Sequence, residues 1–222
     1  MRHIILNVHG LGTPQHALDP GEDRYWVEPD VLAEAIALAE RYKDRVRTTF
    51  TFDDGNLSDL EVGAPLLTQA GHNATFFVLS SRIGAAHYLS EDDIKQLQKM
   101  GHKIGSHGAD HVDWCAQDEA GLTRELDTAR DEIAQVAGHE ITQVGIPFGR
   151  YNGRVMRALR ARGYKAAYCS DDGAVRAGAW PAPRTSLTAG MTSQEIQKAL
   201  LETENPMIGL LRRARIEIRK RF

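Results

Sequence analysis

Short apolar segments alternate with amphipathic segments along this chain of 222 residues, and this alternation constrains its fold more than any other feature. The apolar segments are rich in β-branched and aromatic residues, as strands are, and the segments between them have helical periodicity. Strands that alternate with helices through short connections form parallel sheets, and repeated units close into a barrel. We therefore predict an α/β fold, namely a single-domain deformed (β/α) barrel of about seven parallel strands.

The predicted elements follow one another without an internal repeat. The predicted strands are residues 4–8, 46–52, 74–79, 101–107, 142–146, 164–169 and 184–187. The predicted helices are residues 28–42, 56–70, 90–100, 118–136, 152–162 and 192–203. We expect the barrel to occupy residues 1–205 and a basic helix or tail to occupy residues 206–222.

Composition excludes several classes of protein. The formal net charge of −3 gives no global electrostatic reason to expect nucleic-acid binding. Cys115 and Cys169 are the only cysteines, too few for a disulfide framework or an all-thiolate metal site. The apolar run at the N-terminus is too short for a signal peptide, and no stretch approaches the roughly 20 apolar residues of a membrane span. We therefore expect a cytoplasmic protein.

The last stretch, residues 210–222, carries six basic residues against one acidic residue, a net charge of +5. Two interpretations stay open. It is either a solvated terminal helix or a surface that makes peripheral contact with an anionic membrane or polymer.

The second predicted strand ends in Asp53, Asp54 and Gly55. In α/β folds, ligands and catalytic groups collect at the C-terminal ends of strands. Neighbouring strand residues point to opposite faces, so one carboxylate can bind a metal while the other handles protons. The alternative for an isolated Asp-Asp-Gly is a hairpin turn.

His107 and His111 follow the fourth predicted strand with a spacing of i and i+4. On a helical turn they would project from one face, as two ligands of one metal must. Chance is a competing explanation in a chain with nine histidines. However, in a barrel this pair and Asp54 share one rim, and together they leave an open position on a Zn²⁺-like ion. Such a site suits hydrolysis, with Asp53 free to take a proton.

Residues 51–55 (TFDDG), the His107/His111 pair and residues 147–149 (PFG) resemble the first three motifs of the polysaccharide deacetylase family. This family is also called the NodB homology domain or carbohydrate esterase family four, and the resemblance spans residues 47–190. It implies a NodB-like deformed barrel that hydrolyses N- or O-acetyl groups on sugar polymers with a divalent metal ion.

The resemblance also implies a role for each matching residue. Asp53 would be the catalytic base. Asp54, His107 and His111 would bind one divalent ion, Zn²⁺ first, with Co²⁺, Ni²⁺ or Fe²⁺ as alternatives. The backbone N–H of Phe148 would help to form the oxyanion hole.

The chain departs from the family pattern at two positions. Gly108 stands where members usually have Ser or Thr, and Gly145 stands where many have an arginine that orients the catalytic aspartate. Arg184, on the last predicted strand, is our candidate for that arginine's role. The alternative is an ordinary ion pair at a strand end.

The family's late Leu-x-x-His motif, which supplies the acid for the leaving amine, is missing, because no histidine follows His139. Residues 6–9, Leu-Asn-Val-His, have that pattern at the end of the first strand. Deacetylases that act on poly-N-acetylglucosamine look similarly rearranged, and barrel closure makes the first and last strands neighbours. We therefore predict His9 as the catalytic acid, facing the metal from the side opposite Asp53, with a loop-bound histidine of no catalytic role as the alternative.

Aromatic side chains supply candidate platforms for a sugar ring. These are Phe148, Tyr151 and Trp180, with Trp26 as a further candidate. The alternative for aromatics at loop starts is that they cover the core.

The predicted function is a metal-dependent hydrolase that removes acetyl groups, N-acetyl first, from amino sugars of a bacterial surface polysaccharide or exopolysaccharide or of its precursor. One alternative is the same fold hydrolysing a different small-molecule amide. The other is a non-catalytic carbohydrate-binding descendant, suggested by the missing arginine at position 145.

Overall fold

The computed structural model describes residues 1–202 together with Ile216 and Ile218. The predicted basic helix or tail at residues 206–222 lies almost entirely outside the described residues, so its boundary stays a prediction.

A single parallel sheet of eight strands forms the centre of the fold, in the order β10-β1-β4-β5-β6-β7-β8-β9. The strands in chain order are β1 Arg2–Val8, β2 Gly10–Leu11, β3 Trp26–Val27, β4 Val46–Phe52, β5 Ala74–Val78, β6 Lys103–Ser106, β7 Gln143–Gly145, β8 Ala166–Cys169, β9 Ala182–Pro183 and β10 Thr185–Ser186. Strands β2 and β3 pair only with each other. The α/β fold with a parallel sheet is confirmed.

One short stretch near the end of the chain closes the sheet into a nearly complete barrel. Strand β9 pairs with β8, β10 pairs with β1, and only Arg184 separates β9 from β10. The Arg184 N–H donates to the Cys169 carbonyl at 2.9 Å, and the Leu187 N–H donates to the Asn7 carbonyl at 2.8 Å. The predicted last strand is therefore divided between two edges. Counted as one, it gives the barrel of about seven strands that the sequence predicts.

The helices are α1 Pro29–Arg41, α2 Ala64–Gln69, α3 Glu91–Lys99, α4 Glu119–Thr123, α5 Ala129–Ala137, α6 Gly153–Ala161 and α7 Ser193–Leu201. All six predicted helical regions are present, with two differences. A π turn, Asp59–Gly63, precedes α2, and a second π turn, Arg124–Thr128, joins α4 to α5. Each turn adds a residue to the helical repeat, which periodicity alone does not reveal.

Two apolar clusters hold the helices against the sheet. The larger includes Phe50 and Phe52 of β4 together with Leu32 of α1 and Leu97 of α3. The smaller surrounds Trp114 and takes in residues of α4, α6 and the π turn between α4 and α5. Within the described part of the chain, no helix combines the length and apolarity needed to span a bilayer.

The fold brings four strand ends to one rim of the barrel. His9 follows β1, Asp53 follows β4, His107 follows β6, and Pro147 lies two residues after β7. These strands are neighbours in the sheet or separated by one strand, and all run in the same direction, so the residues that follow them meet.

Candidate metal and catalytic site

Asp54, His107 and His111 come together at this rim. The Nε2 atom of His107 lies 3.6 Å from Oδ1 of Asp54, and the Nε2 atom of His111 lies 3.4 Å from the same oxygen. One ligand atom from each residue lies within 4.8 Å of the other two. The shared rim that the sequence predicts for these residues is therefore present.

The local conformation of the two histidines differs from the prediction. Residues 107–111 form no helical turn, and His107 directly follows strand β6. Gly108 has a φ of +92° and His111 has a φ of +52°, so the chain reverses through left-handed backbone. The premise of a helical turn was wrong: a loop, rather than a helix face, brings the imidazoles together.

The donor set fits one metal ion. Oδ1 of Asp54 is buried and finds no hydrogen-bond partner among the residues that the structure describes. Its distances of 3.4 and 3.6 Å to the imidazole nitrogens are close to two edges of a tetrahedron whose bonds are about 2.0–2.1 Å long. His107 Nδ1 lies 2.9 Å from the Gly145 carbonyl oxygen, and a hydrogen bond donated there leaves the Nε2 lone pair for a metal.

Burial sets the protonation of these ligands. It raises the pKa of Asp54 to about 6 and lowers the pKa of His107 to about 3. The pKa of His111 is also lowered, first by burial and then by the positive charge of Arg82. Near neutral pH the three groups are therefore a carboxylate and two neutral imidazoles, the forms in which they bind metals.

Asp53 and Arg184 form a buried ion pair beside this cluster. The guanidinium donates to Oδ1 of Asp53 through Nη1 at 2.7 Å and to Oδ2 through Nη2 at 2.8 Å. Burial alone would raise the pKa of Asp53, but the positive charge of Arg184 and its hydrogen bonds to the carboxylate hold that pKa well below its ordinary value. Asp53 is therefore ionised across the neutral range.

Asn7 and Thr51 also surround Asp53. The sequence analysis did not predict either of these two residues as part of the site. Asn7 Nδ2 donates to Asp53 Oδ2 at 2.9 Å, and Asn7 Oδ1 accepts from Thr51 Oγ1 at 2.6 Å and from Arg184 Nη1 at 2.9 Å. A lone asparagine in the apolar first strand was the available signal, because a buried amide requires polar partners.

Gly145, where many family members have an arginine, lies directly beside this network. A Cβ atom at Gly145 would lie 3.1 Å from Phe77 and 3.2 Å from both Asp53 Oδ1 and His107 Nδ1. Position 145 therefore faces Asp53 directly, and Phe77, Asp53 and His107 leave little room there for a larger side chain.

His9 lies at the same rim, close to Asp53. Its Nε2 atom is 3.7 Å from Asp53 Oδ2 and 3.4 Å from Asn7 Nδ2. We expected His9 on the side of the metal opposite Asp53, and the structure places the two side by side. Burial lowers the pKa of His9, and the nearby carboxylates of Asp53 and Asp54 partly offset that shift.

Strained backbone is concentrated at this rim. Asp54, His111 and Phe148 have φ values of 75°, 52° and 56°, and they are three of the five non-glycine residues with positive φ in the described part of the chain. Such conformations cost about 1–3 kcal/mol each and cluster at functional sites. The clustering is independent support for a functional site here.

Phe148 is the most exposed of the predicted aromatic platforms. Phe148 is 50% exposed, and its ring centroid lies 4.4 Å from that of His111. Tyr151 is 2% exposed and donates through its hydroxyl to Asp171, and Trp26 is also buried. Trp180 is partly buried against the smaller core cluster, with the Arg160 guanidinium 4.6 Å from its ring. Burial favours the core-covering alternative for Tyr151 and Trp26.

Among solved structures, the fold is similar to the deacetylase PplD of Streptococcus pyogenes in complex with acetate. The TM-score is 0.77 at 19% identity, over 91% of this chain and 99% of PplD. It is also similar to IcaB from Ammonifex degensii, with a TM-score of 0.72 at 18% identity, over 89% of this chain and 95% of IcaB. At these identities the similarity shows the fold.

The chain matches only part of the length of its sequence relatives. The chain is 27% identical over 144 residues to YxkH of Bacillus subtilis strain 168, named as a candidate polysaccharide deacetylase, covering 64% of this chain and 52% of YxkH. It is 30% identical over 132 residues to the peptidoglycan-N-acetylglucosamine deacetylase PgdA of Listeria monocytogenes strain 10403S, covering 58% of this chain and 27% of PgdA. The chain thus spans about half the length of YxkH and a smaller share of the length of PgdA.

A family model described as polysaccharide deacetylase matches residues 41–167, more than half of the chain, and the chain therefore belongs to the polysaccharide deacetylase family.

Proposed function

We propose that this protein is a metal-dependent hydrolase that removes acetyl groups, most readily N-acetyl groups, from amino sugars of a bacterial surface polysaccharide or exopolysaccharide, or of its precursor. One observation carries the proposal. A metal-ligand set, Asp54, His107 and His111, lies next to a second carboxylate, Asp53, that Arg184 keeps ionised. The N-acetylglucosamine substrate in the name of the relative PgdA supports the choice of an N-acetylated amino sugar.

Asp54, His107 and His111 would hold one divalent ion. Two imidazoles and one carboxylate suit Zn²⁺, with Co²⁺, Ni²⁺ and Fe²⁺ as alternatives. When bound, such an ion supplies Lewis-acid polarisation of a carbonyl and lowers the pKa of water.

Asp53 is our candidate for the general base. Its two oxygens are fixed by Arg184 and Asn7, so the carboxylate is already oriented before a substrate arrives. Its low pKa means that Asp53 is ionised at any physiological pH, so its carboxylate is free to accept a proton. It also means that Asp53 releases that proton readily to a stronger base.

His9 is our candidate for the general acid, and its position next to Asp53 suggests how it is supplied with a proton. Its Nε2 atom lies 3.7 Å from Asp53 Oδ2, so a small reorientation would bring the two atoms within hydrogen-bond distance. A proton taken up by Asp53 can pass to the imidazole of His9 and then to the departing amine nitrogen. An amide needs this step because an amide anion is a very poor leaving group.

Phe148 and Arg184 complete the proposal. The backbone N–H of Phe148 would donate to the oxyanion, and its exposed ring beside His111 would contact the sugar. Arg184 would orient Asp53 in the role that the family gives to the arginine missing at Gly145. Its burial in a bidentate pair with Asp53 favours this role over that of an ordinary strand-end ion pair.

Acetate release from a panel of acetylated compounds tests the proposed function. The panel contains N-acetylglucosamine oligomers, an O-acetylated glycan, and small cyclic and linear amides, with the Asp53→Asn variant as the inactive control. We expect release from the N-acetylglucosamine oligomers to be fastest and to be lost in Asp53→Asn, which keeps its metal. Faster hydrolysis of the small amides would favour that alternative, and binding of oligomers without any hydrolysis would favour the carbohydrate-binding descendant.

A further inference from the structure

A buried glutamate fixes the loop that carries His111. Glu125 is 2% exposed and lies in the π turn between α4 and α5, outside the site described above. Its Oε2 atom accepts from the Ala109 N–H at 2.9 Å and from the Trp114 indole N–H at 3.1 Å, and its Oε1 atom accepts from the Asp110 N–H at 3.1 Å. One carboxylate thus satisfies two successive backbone donors between His107 and His111.

Other groups support the rest of the loop. Residues 107–111 belong to no helix or strand, although the His107 N–H still donates to the Val78 carbonyl at 2.8 Å. The Gly108 N–H donates to Ser106 Oγ at 3.1 Å. The carbonyls of Gly108 and Ala109 accept from the backbone N–H groups of Ser80 and Ser81, at 3.0 and 3.4 Å. Glu125 therefore supplies the acceptors for the two N–H groups in the middle of the loop, those of Ala109 and Asp110.

Gly108 and Glu125 depend on each other sterically. A Cβ atom at Gly108 would lie 2.3 Å from Glu125 Oε2 and 3.1 Å from the Trp114 ring. The carboxylate therefore occupies the space that a side chain at position 108 would need. The glycine at this position, where the family usually has Ser or Thr, follows from the placement of Glu125 in this chain.

We propose that Glu125 is a positioning residue for the metal ligand His111. Its carboxylate holds the left-handed loop in the conformation that places His111 Nε2 3.4 Å from Asp54 Oδ1. The π turn contributes by placing an acidic residue on the buried face of the helix beside Leu122 and Leu126, and π bulges are frequent at functional sites. This inference rests on the proposed metal site.

The test is the Zn²⁺ dissociation constant of the metal-free protein and two variants, measured by competition with a chelating dye. Glu125→Gln keeps the size of the side chain but offers one accepting oxygen in place of two. Asp127→Asn is the matched control, an acid-to-amide change in the same π turn. Asp127 accepts from Arg162 Nε at 2.7 Å rather than from the loop.

We expect Glu125→Gln to weaken Zn²⁺ binding by about tenfold or more, the usual effect of losing a group that orients a ligand, and Asp127→Asn to stay within about twofold of wild type. Excess Zn²⁺ should restore most of the turnover of Glu125→Gln. An unchanged dissociation constant in Glu125→Gln, or an equal loss in Asp127→Asn, would overturn the proposal. Failure of the wild type itself to bind Zn²⁺ would instead reject the proposed metal site.

Gly108→Ala provides an independent variant that keeps Glu125. The added methyl group must displace the carboxylate, so we again expect Zn²⁺ binding to weaken by about tenfold or more. Circular dichroism establishes that each variant is folded. If Glu125→Gln does not fold, Gly108→Ala decides the question, and Zn²⁺ binding by it within about twofold of wild type contradicts the proposal.

Discussion

Arg184 donates a hydrogen bond to each carboxylate oxygen of Asp53, at 2.7 and 2.8 Å, although 131 residues separate the two along the chain. Barrel closure makes this possible, because β10 pairs with β1, which in turn pairs with β4. Both side chains are buried, so neither charge is compensated by water. The ionisation of the candidate base therefore depends on the last strand of the barrel.

Replacing Arg184 should change both stability and the pH profile of activity. Arg184→Gln leaves Asp53 buried without its partner, which costs about 3–5 kcal/mol of unfolding free energy. The pKa of Asp53 should then rise, because burial is no longer opposed by the guanidinium. The acid limb of the kcat/KM profile should move to higher pH. Arg162→Gln, which removes a more exposed ion pair with Asp127, is the control and should leave the profile unchanged.

The pH dependence of this stability difference follows from the depressed pKa of Asp53. The ion pair stabilises the fold above the ordinary pKa of 3.8, and that contribution is lost as the pH falls through the lower pKa of the folded state. The difference in unfolding free energy between wild type and Arg184→Gln should therefore shrink as the pH falls, first through the raised pKa of Asp53 in the variant and then through its lower pKa in the wild type. A difference that instead grows on acidification would contradict the assignment.

Asp54 should destabilise the metal-free protein at neutral pH. Burial raises its pKa to about 6 from 3.8, so the stability of the protonated form is present below 3.8 and lost as the pH rises through about 6. Asp54→Asn should therefore raise the unfolding free energy of the metal-free protein near pH 7.5 by up to about 3 kcal/mol. Its Tm should rise accordingly. Zn²⁺ should raise the Tm of wild type but not that of Asp54→Asn. The exposed Asp92→Asn serves as the control, and a lower Tm for metal-free Asp54→Asn would refute the argument.

His9→Ala should separate substrates by their leaving groups. Loss of the proton donor should reduce turnover on amides by about 10²–10⁴-fold and turnover on esters with good leaving groups by much less, while Zn²⁺ affinity stays unchanged. The alkaline limb that His9 contributes to the profile should disappear. His139→Ala, at an exposed histidine, provides the comparison. Equal losses on amides and esters would remove His9 from the mechanism.

The basic C-terminal stretch should contribute to binding of anionic surfaces. Deleting residues 212–222 removes six basic residues and one acidic residue, so binding to anionic vesicles at low salt should weaken. Co-sedimentation with vesicles of mixed anionic and neutral lipid measures this, and a full-length variant with the six basic residues changed to Gln separates charge from length. Binding that is insensitive to both changes and to salt supports the solvated-helix interpretation.

The barrel could be predicted from the sequence because its strands are apolar, β-branched and separated by clear helical periodicity. The rim position of Asp54 and His107 followed from the same pattern, since parallel strands end on the same side. The division of the last strand at Arg184 was beyond such reasoning, because it depends on which two edges that strand meets in three dimensions.

The conformation of the loop from His107 to His111 could not be predicted from the local sequence. A spacing of i and i+4 fits a helical turn, but Gly108 and the distant Glu125 select a left-handed loop instead. Glu125 had a detectable signal, because an acidic residue next to Leu122 and Leu126 falls on the apolar face of its helix. The burial of Tyr151 had none, since it depends on packing against the Trp114 cluster.

Acetate release by metal-stripped protein tests the central claim most directly. Wild type and His111→Ala are freed of metal with a chelator and assayed on N-acetylglucosamine oligomers before and after addition of one equivalent of Zn²⁺. We expect no release by either stripped protein, recovery in wild type on addition of the single equivalent, and no recovery in His111→Ala, whose fold persists. Undiminished release by the stripped wild type, or full recovery in His111→Ala, would contradict a hydrolase built on Asp54, His107 and His111.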